Sequence, residues 1–344
     1  MERYLSEQLL SISEKFTLGY KKGCLIIRDK ENLNLVSKVR VHNAIKSMPV
    51  IERLLRLSPR VAVAISDKEF IYSDHGTIYR IDAEKLIISE EHKFEKGMNN
   101  PISFCVRRNQ KNDVVDILYG EYIWNSDKGP VSIYRRINNE WIKVYDFPAN
   151  TITHIHNISF NPFTNSFLIL TGDDDEESAI WEADLEFTYV RKVIGGKQKY
   201  RSCIAYPTKV GIYYATDTPL EENWLYLLGN DMSLKKIYKM PGPCIYGRIY
   251  DNELYLSTSV EGDPTQSSWK YRLSNKLGKG VNDRYTHLIK CDSEGKVSEI
   301  GLFKKDFLPM WLFQFGNALF PEATDGLYVC PQSCTSRGTF IIKE

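Results

Sequence analysis

Short β-rich runs recur along this chain in groups of four, bounded by Gly, Asn, Asp and Pro, and no other feature constrains the fold as tightly. One group is Val61–Ile65, Glu69–Ser73, Thr77–Ile81 and Leu86–Ser89. The next is Ile102–Val106, Val114–Tyr119, Val131–Arg135 and Trp141–Phe147. Ile152–Phe160, Ser166–Thr171, Ser178–Ala183 and Thr188–Ile194 follow, then Tyr200–Tyr206, Gly211–Thr216, Trp224–Leu228 and Leu234–Met240. A fifth group spans roughly Cys244–Phe303 and carries an insertion near Asn275–Tyr285. First strands begin near residues 61, 102, 152, 199, 242 and 308. Four strands at such spacing are the signature of propeller blades. A two-sheet sandwich would also give many strands, but not four-strand groups at a near-constant interval.

The segments at about 15–40 and 311–342 each read as less than a blade. They are expected to pair with one another, closing the ring and removing open sheet edges. The expectation is thus an all-β protein, one β-propeller domain over residues 1–344, with six blades as first choice and seven as second. Helix signals are confined to residues 2–14 and Ala44–Leu57.

Charge narrows the partners. Lys and Arg number 45 against 44 Asp and Glu, a formal net charge of +1, so neither a basic nucleic-acid footprint nor a polybasic membrane patch is expected. No run approaches the length of a membrane-spanning helix. The N-terminus lacks a basic region followed by an apolar one, so no secretory signal is read. The seven cysteines (24, 105, 203, 244, 291, 330 and 334) are scattered without a CxxC pair, which fits buried free thiols in a reducing compartment. A cytoplasmic protein is expected, unless a signal has been removed. Aromatic residues make up 12% and suit both strands and sugar-stacking surfaces, so they do not discriminate.

Within a propeller the first strand of each blade lines the channel, and chemistry gathers at its mouth. In Thr153-His154-Ile155-His156 the two histidines sit at i and i+2 of such a strand and share a face. They could bind a divalent metal, act as acid and base, donate to hydroxyls, or simply fill the channel wall. HxH fixes no third ligand by spacing. The acidic run Asp173–Glu177 follows a strand; most of it reads as a solvated loop, while Asp173, beside Gly172, is better placed to reach a site, and the spacing is not that of an EF-hand. Arg201, next to Tyr200, could hold a carboxylate or phosphate, or form a structural ion pair with Asp217. Glu121 and Glu261 end or follow second strands, and Tyr246 lies on a later inner strand. His75 reads as a turn residue, and His42, His92 and His287 as structural. GxGxxG, GxxxxGK[ST], GxSxG and HExxH are all missing.

The string HIHNISFNPFTNSFLILTGDDDEESAIWEAD, followed by KYRSCIAYP and GIYYATDTPLEENWLYLL, resembles bacterial propellers of the sialidase-like superfamily, BNR or Asp-box glycosyl-hydrolase-like proteins found among polysaccharide genes. The residues that carry the likeness are His154, His156, Pro162, Thr171, Gly172, Asp173, Arg201, Thr216, Asp217, Pro219 and Asn223, with Gly120, Glu121, Tyr122 and Asn125 upstream. It covers about residues 115–230. The Asp-box is degraded, since Tyr134–Trp141 keeps only the tryptophan. The three-arginine cluster and Tyr–Glu pair of a true sialidase are not identifiable.

The resemblance implies a carbohydrate-active protein, hydrolase-like or polysaccharide lyase-like, working at the channel mouth on a bacterial polysaccharide or oligosaccharide. The catalytic candidates are His154, His156, Glu121, Asp173, Arg201 and Asp217. The substrate-binding candidates are Tyr122, Asn125, Tyr200, Asn223, Tyr246 and Glu261. Hydrolysis would need two carboxyl groups across the scissile bond; elimination would use a histidine or tyrosine base, with Arg201 neutralising a uronate. A non-catalytic glycan-binding or polysaccharide-assembly role is the alternative, because propellers host unrelated functions.

Overall fold

A computed structural model describes residues 1–95, 100–265, 269 and 273–343. Strand β1 (Glu2–Leu5) stands apart and joins the last blade. Blade I is β2 (Gln8–Ile12), β3 (Phe16–Lys21), β4 (Cys24–Asp29) and β5 (Leu35–Arg40). Blade II is β6 (Val61–Ala64), β7 (Glu69–Asp74), β8 (Thr77–Asp82) and β9 (Ile87–Lys93). Blade III is β10 (Cys105–Arg108), β11 (Val114–Gly120), β12 (Val131–Ile137) and β13 (Glu140–Phe147). Blade IV is β14 (Ile155–Asn161), β15 (Ser166–Thr171), β16 (Ala179–Asp184) and β17 (Val190–Gly195). Blade V is β18 (Ser202–Thr208), β19 (Gly211–Thr216), β20 (Asn223–Gly229) and β21 (Leu234–Met240). Blade VI is β22 (Tyr246–Tyr250), β23 (Glu253–Ser257), β24 (Tyr285–Cys291) and β25 (Val297–Lys304). Blade VII is β26 (Asn317–Leu319), β27 (Leu327–Gln332) and β28 (Thr339–Ile342), completed by β1 as its outer strand.

All pairings within the blades are antiparallel, and the first strands of most neighbouring blades contact one another around the channel. The ring therefore has seven blades, the second choice from sequence, rather than six. The miscount has a local cause. Leu5, Leu9, Leu10 and Ile12 carry a helix-like spacing in residues 2–14, but they lie on two strands, β1 and β2, separated at Ser6-Glu7 and sent to different blades. Burial in β2 is nearly continuous, as expected for an inner strand packed on both faces. The N-terminal region thus makes a full blade, and the ring closes by one N-terminal strand pairing with three C-terminal ones, Glu2 opposite Ile341 and Leu5 opposite Thr339.

Apolar side chains fill the gaps between blades. Phe70 and Tyr72 pack against Leu18, Tyr20 and Ile27 between blades I and II. Phe147, Phe167 and Phe187 join blades III and IV, and Leu168, Leu170, Tyr214 and Tyr226 join IV and V. The second strand of blade IV is buried along its whole length, whereas the fourth strand of blade III is exposed or half-buried up to its buried last residue, Phe147. All seven cysteines are buried free thiols, as expected. Among the described residues, no helix is long and apolar enough to cross a membrane.

Every inner strand runs away from one mouth, here the upper, where second strands end and the longest loops lie. One such loop carries the helix Pro49–Leu54, inside the segment that the sequence marks as helical. A cavity of about 980 Å³ opens at the opposite, lower end, lined by residues such as Phe160, Tyr206, Arg108, Arg248 and Glu322.

Candidate functional site

The upper mouth is built from two recurring blade positions, the start of the first strand and the end of the second. Blade IV supplies the histidines. His154 directly precedes β14, and Ile155 pairs with Thr171 while Asn157 pairs with Leu170, so His156 is the extra residue of a β-bulge. Bulges re-aim side chains. The same bulge recurs in blade V, where Ser202 pairs with Thr216 and Ile204 with Ala215, which makes Cys203 the counterpart of His156. Asp173 follows the end of β15, Asp217 the end of β19, and Glu261 the end of β23.

These residues converge. His156 Nδ1 faces the carbonyl of Ser202 at 3.1 Å, and His154 Nδ1 faces that of Ile123 at 3.3 Å. A carbonyl only accepts, so each Nδ1 carries a proton, and a ring that holds no second proton presents its lone pair at Nε2. The two Nε2 atoms stand 3.1 Å apart. Asp173 places one carboxylate oxygen 3.4 Å from His154 Nε2 and the other 3.4 Å from His156 Nε2. Three groups that can each offer a ligand atom to a cation therefore meet at one point. Burial, and then the neighbouring His156, pull His154 down to about 4, so its ring is neutral near pH 7.

Arg201 closes the other side. Its Nη2 lies 2.9 Å from Asp173 Oδ1 and 3.8 Å from Asp217 Oδ2, and Nη1 donates to the Asp173 carbonyl at 3.2 Å. Burial works against ionised Asp173, but His156 and Arg201 outweigh it and hold the carboxyl well below its usual range. Burial also opposes the charge on Arg201, and Asp217 and Asp173 more than restore it. The Cys203 thiol donates to Asp217 at 3.3 Å and is pushed far up, first by burial and then by Asp217, so it is a protonated partner and not a thiolate. Burial, followed by the charge of Asp217, raises Glu261 to about 8, and Ser259 hydrogen-bonds to it. Tyr122 packs its ring 4.5 Å from that of His154. Gly172 allows the close approach here: a Cβ would meet Arg201 Cγ at 3.0 Å and His156 Cε1 at 3.2 Å, and both side chains would have to shift.

The remaining candidates fall elsewhere. Glu121 is buried but turns away from its neighbour Tyr122 and accepts the backbone N–H of Ser132 at 2.8 Å. Asn125 closes its own turn through Gly129 and the Thr153 carbonyl. Asn223 spends its amide on Thr216, Thr218 and Gly280, fixing the loop that holds Asp217. Tyr200 packs between blades IV and V. Tyr246 is at the mouth and accepts from Arg60 Nη1 at 3.3 Å. Cys203, Arg56 and Arg60 were not singled out from the sequence; the bulge repeat could have found Cys203, since it occupies in blade V the place of His156 in blade IV.

Such a site fits a divalent cation. Ligand atoms about 2.1 Å from a tetrahedral ion stand about 3.4 Å apart, close to the separations seen between these donors. Both histidines also direct their second nitrogen at a backbone carbonyl, the outer-shell arrangement that fixes a metal-binding tautomer.

The chain is a seven-bladed propeller with a polar, histidine- and carboxylate-lined mouth. No family model and no curated protein sequence matches it. Solved structures with similar folds include oligogalacturonate lyase from Vibrio parahaemolyticus, at 10% identity over 93% of this chain and 87% of that one, TM-score 0.53. A second is an oligogalacturonate lyase in complex with manganese, at 12% identity over 93% of this chain and 86% of that one, TM-score 0.52. A chain of the mitotic checkpoint complex is equally similar in shape, at 6% identity over 98% and 90% of the two chains, TM-score 0.55. Identities this low carry the propeller fold and nothing more, and the resemblance to sialidase-like propellers rests on the quoted residues alone.

Proposed function

We propose that this protein is a carbohydrate-active enzyme that processes an oligosaccharide or polysaccharide at the upper mouth of its channel, with a divalent cation held by His154, His156 and Asp173. The observation that carries the reading is the pair of imidazole Nε2 atoms 3.1 Å apart, each ring oriented by a carbonyl behind it. Lone pairs on two such atoms repel unless a proton or a cation lies between them. Two of the similar structures are oligogalacturonate lyases, one with manganese, which lends support to a lyase-like reaction.

The bound cation would polarise an oxygen of the sugar. Glu261, protonated near neutral pH, can give its proton to a departing glycosidic oxygen. Tyr122 lines the same space beside His154. Arg201 positions Asp173 and Asp217 through its terminal amino groups, while its buried Nε has no hydrogen-bond partner among the described residues; its role here is support of the centre.

The test is turnover of a panel of polyuronates and neutral polysaccharides, following reducing ends together with the ultraviolet absorbance of an unsaturated product. Both signals, lost on chelation and in His156→Ala, are expected. Reducing ends alone would move the reading to hydrolysis. Binding without turnover across the panel would replace it with a non-catalytic glycan-binding role.

A further inference from the structure

Three arginines follow one another on the segment between blades I and II, and their surroundings differ sharply. Arg53 is neutralised: Nη1 lies 2.6 Å from Asp306, and Nη2 donates to the Phe313 carbonyl. Arg60 donates to the phenol oxygen of Tyr246 at 3.3 Å and to the amide oxygen of Gln314, neither of which is charged. The side chain of Arg56 has no hydrogen bond or ion pair among the described residues. It feels the charge of Arg60 and the phenols of Tyr122 and Tyr246. Burial, with Arg60 adding to it, pulls its pKa below the usual arginine value. Arg56 is nonetheless exposed, so protein surrounds it without covering it.

Arg56 is also held rigidly. It follows the helix Pro49–Leu54, donates its N–H to the Arg53 carbonyl at 3.3 Å, and precedes Leu57, whose N–H returns to the Glu52 carbonyl at 2.9 Å. That is a Schellman closure with Arg56 at its left-handed position, φ 55°, where glycine costs least. Leu57 is buried, and Gln314 Nε2 donates to the Arg53 carbonyl at 2.9 Å, which ties the turn to the segment before blade VII. A fixed turn thus presents an arginine within electrostatic reach of Tyr122, which in turn packs on His154. Arg201 is already bound by two carboxylates, whereas Arg56 and Arg60 have no acid partner among the described residues.

We infer that Arg56 and Arg60 form an anion-binding subsite, which takes a carboxylate or sulfate group of a saccharide while a neighbouring sugar unit lies over the His154–His156–Asp173 centre. The inference rests on the saccharide reading above and specifies its substrate as an anionic chain of at least two units. An arginine without an acid partner gives charge-assisted, bidentate hydrogen bonds to such groups. Uronic acids and sulfate esters share this chemistry, and the experiment separates them.

Binding is measured by calorimetry on the full chain with three tetrasaccharides of equal length: a uronate, the same compound with its carboxyls reduced to alcohols, and a sulfated neutral sugar. The wild type should bind one charged probe about 10–100-fold more tightly than the reduced one. Arg56→Gln should erase that preference, and Arg60→Gln should reduce it. Arg56→Gln is the decisive variant, since its side chain supports nothing else and the fold should survive. The preferred probe identifies carboxylate or sulfate. A wild type without preference, or an Arg56→Gln variant that keeps it, overturns the inference. Turnover is not read here, so failure of the enzymatic reading would leave this result standing by itself.

Discussion

Blades II and IV put the same residue types at the same blade position and obtain different objects. Each has a carboxylate at or just past the end of its second strand, Asp74 or Asp173, flanked by two imidazoles. In blade II, His42 Nε2 meets Asp74 Oδ2 at 2.8 Å and His75 Nδ1 meets Oδ1 at 2.9 Å. The far nitrogen of His42 faces the Tyr20 hydroxyl at 3.1 Å, and that hydroxyl donates to Glu52 at 2.5 Å. The chain Glu52–Tyr20–His42–Asp74–His75 is a closed hydrogen-bond relay that clamps blade I and the helical loop to blade II. In blade IV both far nitrogens face carbonyls and both near ones face each other. What lies behind each imidazole, more than the count of donors, separates a clamp from a site with donors free for a cation.

Substitutions can break or sharpen that contrast. The largest effect is expected for His156→Ala, which should abolish stoichiometric metal and lower turnover by at least about 10²-fold. His42→Ala should keep the metal and cost about 1–3 kcal/mol of stability in urea unfolding, because Asp74 loses its buried partner and keeps only the half-exposed His75. Equal metal loss in both variants would erase the distinction. Next, Arg201→Ala should destabilise by about 3–5 kcal/mol, because it leaves Asp173 and Asp217 without their cation. Its inactivity would therefore need to be read beside its melting curve.

A smaller effect is expected from pH. Glu261 is raised to about 8 when folded against 4.5 as the ordinary value, so the folded state holds a proton that the unfolded state has released between those limits. That contribution is complete below about pH 4.5 and is lost as pH rises towards 8. Asp217, Arg201 and Asp173 are the charges that act on it. Glu261→Gln should flatten the fall in melting temperature between pH 5 and 8; an unchanged slope would mean that Glu261 is ionised in the fold. The smallest effect belongs to His75→Ala, whose half-exposed ring should count for less than about 1 kcal/mol.

The sequence exposed the propeller because strand periodicity and turn residues are local signals. It missed one blade because Ser6-Glu7 hides a strand break inside a helix-like leucine pattern, and pairing of β1 with β28 is a contact between chain ends. Of the site, His154, His156, Asp173, Arg201, Asp217, Tyr122 and Glu261 do come together, through first-strand starts and second-strand ends. The direction of each side chain was not legible. Glu121 and Tyr122 are neighbours, yet one enters the blade and the other the mouth. Asn125 and Asn223 look like ligand-binding amides and are consumed by backbone. Arg56 offers no local motif at all; its place follows from a turn that only the fold closes.

The central claim is that the two inward-facing imidazoles of blade IV hold a cation. It is tested most directly by titrating Mn²⁺ and Zn²⁺ into chelator-stripped wild type, His42→Ala and His154→Ala, with calorimetry as the readout. One equivalent bound by the wild type and by His42→Ala, and none at the same site in His154→Ala, is the predicted result. Binding unaffected by His154→Ala, or lost instead in His42→Ala, would contradict the account.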